Sequence, residues 1–292
     1  MIDYTFRYAP SQDDKSPQPR TSQEAREALV EGNRTFARWV QSCREAGPDA
    51  HEQFVVPSRG LETVVGLDRM GVPTQKPFAV VLGCSDARVP AEMLFGQGFN
   101  DLFVIRNAGN VLSDVSLGSI DFTLAALKDS VRVIVVLGHT HCGAVKGAVA
   151  AYLDTEQFWS EDFSPNLRTI FQRIFVAVRE TDNMLHQVWG PDAASMPGYR
   201  DVLTDAAVCL NAAHSAYAIR QEVEEAGHKD IEVLFGAYDV RNQHVCMPIL
   251  PHRSGNAAES VNLASAPRHP SELAALAREI VEAFRPAETS AG

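Results

Sequence analysis

Two short stretches of the sequence place cysteine and histidine at metal-ligand spacing. Cys84 begins the stretch CSDAR, and His139 and Cys142 lie three residues apart in GHTHCGAV. Thiolate and imidazole are ligands that zinc prefers in proteins, and the His-x-x-Cys spacing lets one turn present both side chains to one ion. These residue types predict one Zn²⁺ per chain, held by Cys84, His139 and Cys142.

A carboxylate and a guanidinium follow the first cysteine at intervals of two residues. Asp86 and Arg88 are therefore aimed in the same direction by a short extended turn. We expect Asp86 to accept a hydrogen bond from a zinc-bound water, and Arg88 to keep Asp86 ionised through a bidentate contact. Two alternatives stay open: the pair is an ordinary structural salt bridge, or Asp86 is itself the fourth zinc ligand and closes the site.

The elements that must position these side chains are predicted from continuous apolar runs. Such runs are typical of strands covered on both faces, and therefore of a parallel sheet between helices. The four runs are Phe78–Cys84, Asp101–Asn107, Val131–His139 and Ile231–Val240. Helical stretches separate them at Ser116–Lys128, Gly143–Leu153 and Ala206–Ala226. The alternation predicts an α/β fold: a central, mostly parallel sheet flanked by helices, in a single domain with an N-terminal helical arm.

The polar clusters converge on one edge of this sheet. Ligands of open α/β sheets bind outside the carboxyl ends of the strands. The first predicted strand ends in CSDAR, the second in RNAGN (106–110) and the third in GHTHC. Cys142 is expected to open the next helix, whose N-terminal partial charge favours a thiolate.

The chain organisation follows from the same patterns. Residues 1–20 are polar and proline-bearing and are predicted to be an irregular N-terminal arm. Residues 21–250 form the predicted α/β domain, with a helical excursion at 154–201. Residues 251–292 are predicted to form a C-terminal loop and helix.

Composition excludes several classes of partner. The net charge of −11 repels a nucleic-acid backbone, and no window approaches the roughly 20 apolar residues of a membrane span. The N-terminal residues show no export signal, so we expect a cytoplasmic location. Five cysteines, an odd number in a chain of this length, argue against a disulfide framework.

At this point a family resemblance becomes visible. CSDAR, RNAGN and GHTHCGAV resemble, in order and spacing, the signature blocks of the β-class carbonic anhydrases. EGNRTF (31–36) and FGAYDV (235–240) extend the match to most of the chain between about residues 25 and 245. The resemblance implies reversible hydration of carbon dioxide to bicarbonate and a proton by zinc-bound hydroxide, assisted by the Asp86–Arg88 dyad.

The resemblance also implies a substrate pocket and an assembly. Gln75 matches a glutamine that orients substrate, and Phe103, Phe122 and Ala108 match an apolar wall for carbon dioxide. On sequence alone, Gln75 is equally well a surface residue, and the two phenylalanines are more typical of a core. Family members form dimers or dimers of dimers with the pocket at the subunit boundary. Ala87 stands where the family commonly has serine, and the 154–201 excursion exceeds the expected core.

Two other functions remain compatible with these motifs. The first is a related zinc hydrolase of carbon disulfide or carbonyl sulfide, which shares the fold and the metal site. The second is a non-catalytic, closed-zinc subunit that senses bicarbonate or serves as a scaffold. A displaceable water on the metal separates the second alternative from an enzyme.

Overall fold

The computed structural model describes residues 18–47, 51–56, 74–247 and 262–285. The helices it describes are α1 (Ser22–Glu45), α2 (Ala91–Leu94), α3 (Asp114–Ala126), α4 (Gly143–Leu153), α5 (Thr155–Trp159), α6 (Pro165–Trp189), α7 (Tyr199–Glu225) and α8 (Pro270–Ala283). The strands it describes are β1 (Ala79–Cys84), β2 (Leu102–Asn107), β3 (Val133–His139), β4 (Glu232–Tyr238), β5 (Val245–Cys246) and β6 (Ala264–Ser265). Short 3₁₀ turns lie at Ala108–Asn110 and Ala193–Ser195.

The sheet has the predicted mostly parallel architecture. Its strand order is β2-β1-β3-β4-β5, and β1 to β4 run parallel, whereas β5 and β6 pair antiparallel with β4. Cys84 is in register with Asn107 on β2, and His139 is in register with Tyr238 on β4. The carboxyl ends of β1, β2 and β3 therefore lie side by side, and the predicted convergence of the polar clusters is confirmed.

Both faces of the sheet are covered, which explains the continuous apolar runs. Every residue of β1 and β3 is buried. Alternate side chains of β1 point to opposite faces: Val80 and Leu82 pack with α3 and α7, and Ala79 and Val81 pack with α1 and α2. When both faces of a strand are buried, successive side chains must all be apolar. These strands therefore do not alternate apolar and polar residues, as a strand with one solvent-exposed face does.

Helix α1 is tied to the sheet by the EGNRTF segment. A side chain at Gly32 would place its Cβ 1.7 Å from the carbonyl oxygen of Phe95, so only glycine allows this close approach. Asn33 is fully buried; its amide nitrogen donates to the carbonyl of Leu94, and its Oδ1 accepts from the backbone N–H of Val245. Each such buried bond contributes about 1 kcal/mol, and leaving either partner unpaired costs more.

The predicted excursion at 154–201 consists mainly of α6, a long helix with one buried face. Ser164 caps its first turn by accepting the backbone N–H of Leu167. Its buried side chains belong to the same apolar cluster as those of α4, α7 and α8, and the Trp189 Nε1–H donates to the carbonyl of Val281 on α8. The excursion is therefore packed against the rest of the chain.

Several boundaries differ from the sequence expectation. The predicted N-terminal helical arm is one helix of 24 residues, whereas α7 begins at Tyr199, seven residues before the predicted Ala206. Gly198, with φ of 80°, provides the turn that starts α7. Residues 1–17 of the predicted arm and 251–261 of the predicted C-terminal loop lie outside the described residues, and the domain boundaries stay a prediction.

Among the residues that the structure describes, no helix combines the length and the apolar character that a bilayer crossing requires.

Candidate metal centre

Three side chains meet at the carboxyl edge of the sheet. Cys84 ends β1, His139 ends β3, and Cys142 is the N-cap residue of α4. Their ligand atoms all lie within 4.8 Å of one another, and the three residues are 5%, 0% and 2% exposed. Two thiols and an imidazole at this separation match the tetrahedral, sulfur- and nitrogen-rich set that holds zinc.

The imidazole of His139 is oriented as a metal ligand requires. Its Nδ1 lies 2.9 Å from the carbonyl oxygen of Thr140, which can only accept, so Nδ1 carries the proton and donates it. Its Nε2 is therefore an acceptor, and it is buried without a hydrogen-bond partner. Leaving a buried polar atom unpaired is costly, and a cation between the three side chains removes that cost.

The two thiols are electrostatically coupled. A hydrogen bond from Cys142 lowers the pKa of Cys84, against the opposing effect of burial. The same hydrogen bond and burial raise the pKa of Cys142, although backbone N–H groups at the start of α4 act in the other direction. The pair alone therefore retains one proton, and a divalent cation is the natural partner of two thiolates.

Asp86 and Arg88 form a two-bond ion pair beside this cluster. Arg88 Nε donates to Asp86 Oδ1 at 2.9 Å and Nη2 donates to Oδ2 at 2.7 Å. Asp86 Oδ2 lies 3.9 Å from His139 Nε2. The bonds from Arg88 hold the pKa of Asp86 well below its usual range, against burial, so this carboxylate is ionised beside the ligands.

The loop between Cys84 and Asp86 is held by a residue that the sequence analysis did not single out. Arg106 on β2 donates from Nε to the carbonyl of Cys84 at 3.0 Å and from Nη2 to the carbonyl of Asp86 at 2.7 Å. The feature of the sequence that could have indicated this role is an arginine near the end of a strand that is adjacent to the ligand strand. Its planar fork fits two neighbouring carbonyl oxygens.

A second set of bonds that was not predicted surrounds Gly109. Its N–H donates to Cys84 Sγ at 3.4 Å, and its carbonyl accepts from the side-chain amide of Asn211 at 3.0 Å. Asn211 is 5% exposed on α7. An amide in the otherwise apolar run VCLNAA was the sequence signal, because a buried amide requires partners.

The residues predicted to bind substrate are divided between two places. Ala108 lies at the cluster, directly before Gly109, in the turn that follows β2. Gln75 is exposed before the start of β1, and β1 alone advances about 17 Å from there towards Cys84. It lines a groove with Arg20 and Arg132 at the opposite edge of the sheet.

The two phenylalanines contact each other away from the cluster. Phe103 is in register with Val80, near the start of β1, and its ring centroid lies 6.3 Å from that of Phe122. Phe103 is partly buried, whereas Phe122 on α3 is 51% exposed. Within one chain, the structure does not bring Gln75, Phe103 or Phe122 to the three candidate ligands.

Comparison with known proteins shows the family to which a chain with this site belongs. The family model for carbonic anhydrases matches residues 79–245, more than half of the 292 residues. The chain belongs to the carbonic anhydrase family. The matched segment begins with β1 and ends in β5, so it contains the cluster, the Asp86–Arg88 pair and the sheet edge that presents them.

Two mycobacterial carbonic anhydrases are among the relatives of this chain. A carbonic anhydrase of Mycolicibacterium smegmatis is 46% identical over 124 residues, which are 42% of this chain and 51% of the relative. Carbonic anhydrase 2 of Mycobacterium tuberculosis is 43% identical over 127 residues, 44% of this chain and 52% of the relative. The chain thus spans about half the length of these relatives.

The fold is that of the β class. A crystal structure of a β-carbonic anhydrase from Aspergillus fumigatus superposes with a TM-score of 0.50 at 21% identity. The match covers 89% of this chain and 98% of that chain. The predicted family membership and the predicted mostly parallel α/β fold are both confirmed.

Proposed function

We propose that this chain binds one Zn²⁺ through Cys84, His139 and Cys142 and catalyses the reversible hydration of carbon dioxide to bicarbonate and a proton. The observation that carries the proposal is the buried Cys-His-Cys cluster with an ionised carboxylate beside it, in a chain of the carbonic anhydrase family. The unpaired Nε2 of His139 and the coupled thiols fit a thiophilic divalent cation.

Zinc bound here supplies the Lewis acidity that makes a water molecule nucleophilic near neutral pH. The chain's own residues hold that water. Asp86 would accept a hydrogen bond from a water molecule bound at this metal and so help to orient it towards carbon dioxide. Arg88 keeps the carboxylate ionised and fixes its plane through two bonds, so that Asp86 acts as an acceptor over the whole neutral range.

An open site is favoured over the closed alternative, in which Asp86 is the fourth ligand. Both carboxylate oxygens of Asp86 accept bonds from Arg88. The nearer oxygen lies 3.9 Å from His139 Nε2, beside the cluster but outside the three-residue ligand set. To become the fourth ligand, Asp86 must give up its two charge-assisted hydrogen bonds from Arg88 in exchange for one bond to the metal. This cost supports an enzyme over a closed bicarbonate-sensing or scaffold subunit.

We propose further that the working unit is a homodimer or a dimer of dimers with the pocket at the subunit boundary. Gln75, Phe103 and Phe122 lie too far from their own chain's cluster to reach substrate there. The outer face of α3 exposes Phe122 at 51% and Val115 at 82%, which is typical of a surface covered by another chain. In this arrangement, the ligand cluster and Ala108 of one chain lie against the outer face of α3 of the other chain, and together they form the pocket.

The cysteines are compatible with a reducing compartment such as the cytoplasm. All five are free thiols in the structure, and Cys84 and Cys142 must remain reduced to bind a metal.

Stopped-flow hydration of carbon dioxide by protein of known zinc content tests the proposed activity. We expect turnover to scale with bound zinc, and carbon disulfide and carbonyl sulfide to compete weakly when offered together with carbon dioxide. Fully zinc-loaded protein without hydration activity would refute the proposal. Preferential turnover of a sulfur substrate would assign the site to the related hydrolases instead.

A further inference from the structure

The turn after β2 brings a backbone donor to one of the candidate ligands. Gly109 has φ of 71°, and its N–H donates to Cys84 Sγ at 3.4 Å. A Cβ at this position would lie 2.9 Å from Cδ1 of Ile174 on α6 and 3.1 Å from Cβ of Ala144 on α4. The positive φ and the narrow space between two helices both favour glycine here, and the surroundings set the direction of this backbone.

The carbonyl of the same residue is held from a third helix. Asn211 on α7 donates its side-chain amide to Gly109 O at 3.0 Å, and Asn211 is 5% exposed. Its helix neighbours Leu210 and Ala212 are fully buried. An amide in such surroundings needs its hydrogen bond, because burying it unpaired costs free energy. The bond fixes the peptide group that follows the Gly109 α-carbon, and the tightly packed α-carbon passes this orientation on to the preceding peptide group, which carries the N–H.

We infer that Asn211 is a positioning residue for the metal centre: by anchoring the Gly109 carbonyl, it aims the Gly109 N–H at the Cys84 sulfur. This inference rests on the proposed metal site. A bond from an N–H to a ligand sulfur withdraws electron density from that sulfur and fixes the direction of its lone pairs. Outer partners of metal ligands orient and tune them in this way.

Loss of the anchor has two expected consequences. The Gly109 peptide gains rotational freedom, so the N–H···S bond weakens, and Cys84 is less well oriented. Changes to such outer partners typically lower metal affinity by about 10- to 100-fold. A sulfur that accepts fewer hydrogen bonds also gives up an electron more easily, so its charge-transfer band on a cobalt ion moves to longer wavelength.

The test compares two substitutions in α7 of the full-length chain. Asn211→Leu removes the donor and keeps the branched shape of the side chain, at a larger volume. Thr204→Val is the matched control, because Thr204 is 8% exposed on the same helix and its hydroxyl donates to the carbonyl of Arg200 in that helix. We expect Asn211→Leu to bind Zn²⁺ about 10- to 100-fold more weakly in competition with a chelator. We expect its Co²⁺-thiolate band to shift to longer wavelength, and the control to match the wild type in both measurements.

The possible outcomes separate this inference from the proposed metal site. An Asn211→Leu chain with wild-type zinc affinity and an unshifted cobalt band overturns the inference alone, as does an equal change in Thr204→Val. A wild-type chain that takes up cobalt without a thiolate band overturns the metal site and the inference together. If Asn211→Leu does not fold, Asn211→Ala gives the same test, since a methyl group removes the donor and cannot overfill the site.

Discussion

The Asp86 carboxylate and the Arg88 guanidinium are joined by two parallel hydrogen bonds, at 2.9 and 2.7 Å. The same Asp-x-Arg geometry recurs at the end of β4. There, Arg241 Nε and Nη2 donate to the two oxygens of Asp239 at 3.0 and 3.1 Å. Asp86 Oδ2 lies 3.9 Å from His139 Nε2, whereas Asp239 Oδ1 accepts from the hydroxyl of Thr140, so the second pair serves as a comparison for the first.

The first prediction compares lysine substitutions in the two pairs. Arg88→Lys keeps the positive charge but cannot make the two-bond fork, so Asp86 is held less firmly. We expect hydration turnover to fall about tenfold or more, while zinc content stays at one per chain. Arg241→Lys should leave turnover within about twofold of the wild type, since the bonds described for Asp239 run to Arg241 and to the hydroxyl of Thr140 rather than to a candidate ligand. Equal losses in the two variants would show that the effect is structural.

The second prediction concerns the ligand set. Cys84→Ser replaces a thiolate by a hydroxyl, which is a poor zinc ligand, so we expect bound zinc to fall from one per chain to nearly none. Elemental analysis after dialysis against a weak chelator measures this. Cys43→Ser, on the partly exposed side of α1, should keep its full zinc content. A fully loaded Cys84→Ser chain would remove Cys84 from the ligand set.

The sheet and the ligands were predictable from sequence for a physical reason. Strands buried on both faces must be continuously apolar, and Cys84 and His139 stand where two such runs end. The two-residue strands β5 and β6 were not predicted, because so short a segment has no periodicity of its own. Their pairing with β4 depends on tertiary contacts.

The supporting residues of the site were harder to predict. Arg106 and Asn211 act on carbonyl groups, and nothing in the sequence tells which carbonyl a side chain will meet. Gln75 precedes β1, and Phe103 lies near the start of β2. Each strand residue between them and the carboxyl edge adds about 3.3 Å to their distance from the ligands. Sequence proximity to a ligand strand therefore does not place a residue at the ligand.

The third prediction concerns pH and stability at His244. Burial is the main cause that lowers the pKa of His244 below its ordinary 6.5; Asp239 opposes this effect and Arg34 adds to it. Below about pH 6.5 the unfolded chain therefore binds a proton that the folded chain resists, and the free energy of unfolding falls.

His244→Gln removes this proton-linked loss. Relative to the wild type, we expect its unfolding free energy to rise as the pH falls from about 7.5 to about 5.5, by at most about 1.4 kcal/mol per pH unit. Urea unfolding of zinc-loaded protein measures the difference, and His269→Gln, at an exposed helix start, serves as the control. A wild-type-minus-variant difference that does not change with pH would show that His244 titrates equally in both states.

The last prediction tests the shared pocket by mixing two defective chains. Gln75→Ala keeps its own ligand cluster but should lose about 10²-fold in turnover, as expected for a lost substrate hydrogen-bond donor. Cys84→Ser keeps Gln75 but should lose zinc. If Gln75 serves the neighbouring chain's cluster, a mixed dimer contains one complete pocket, built from the intact Cys84 of one chain and the intact Gln75 of the other. Turnover of co-refolded chains should then clearly exceed the sum of the two separate preparations. If each chain uses its own Gln75, every pocket in the mixture is defective and no gain appears, because neither chain carries both residues intact.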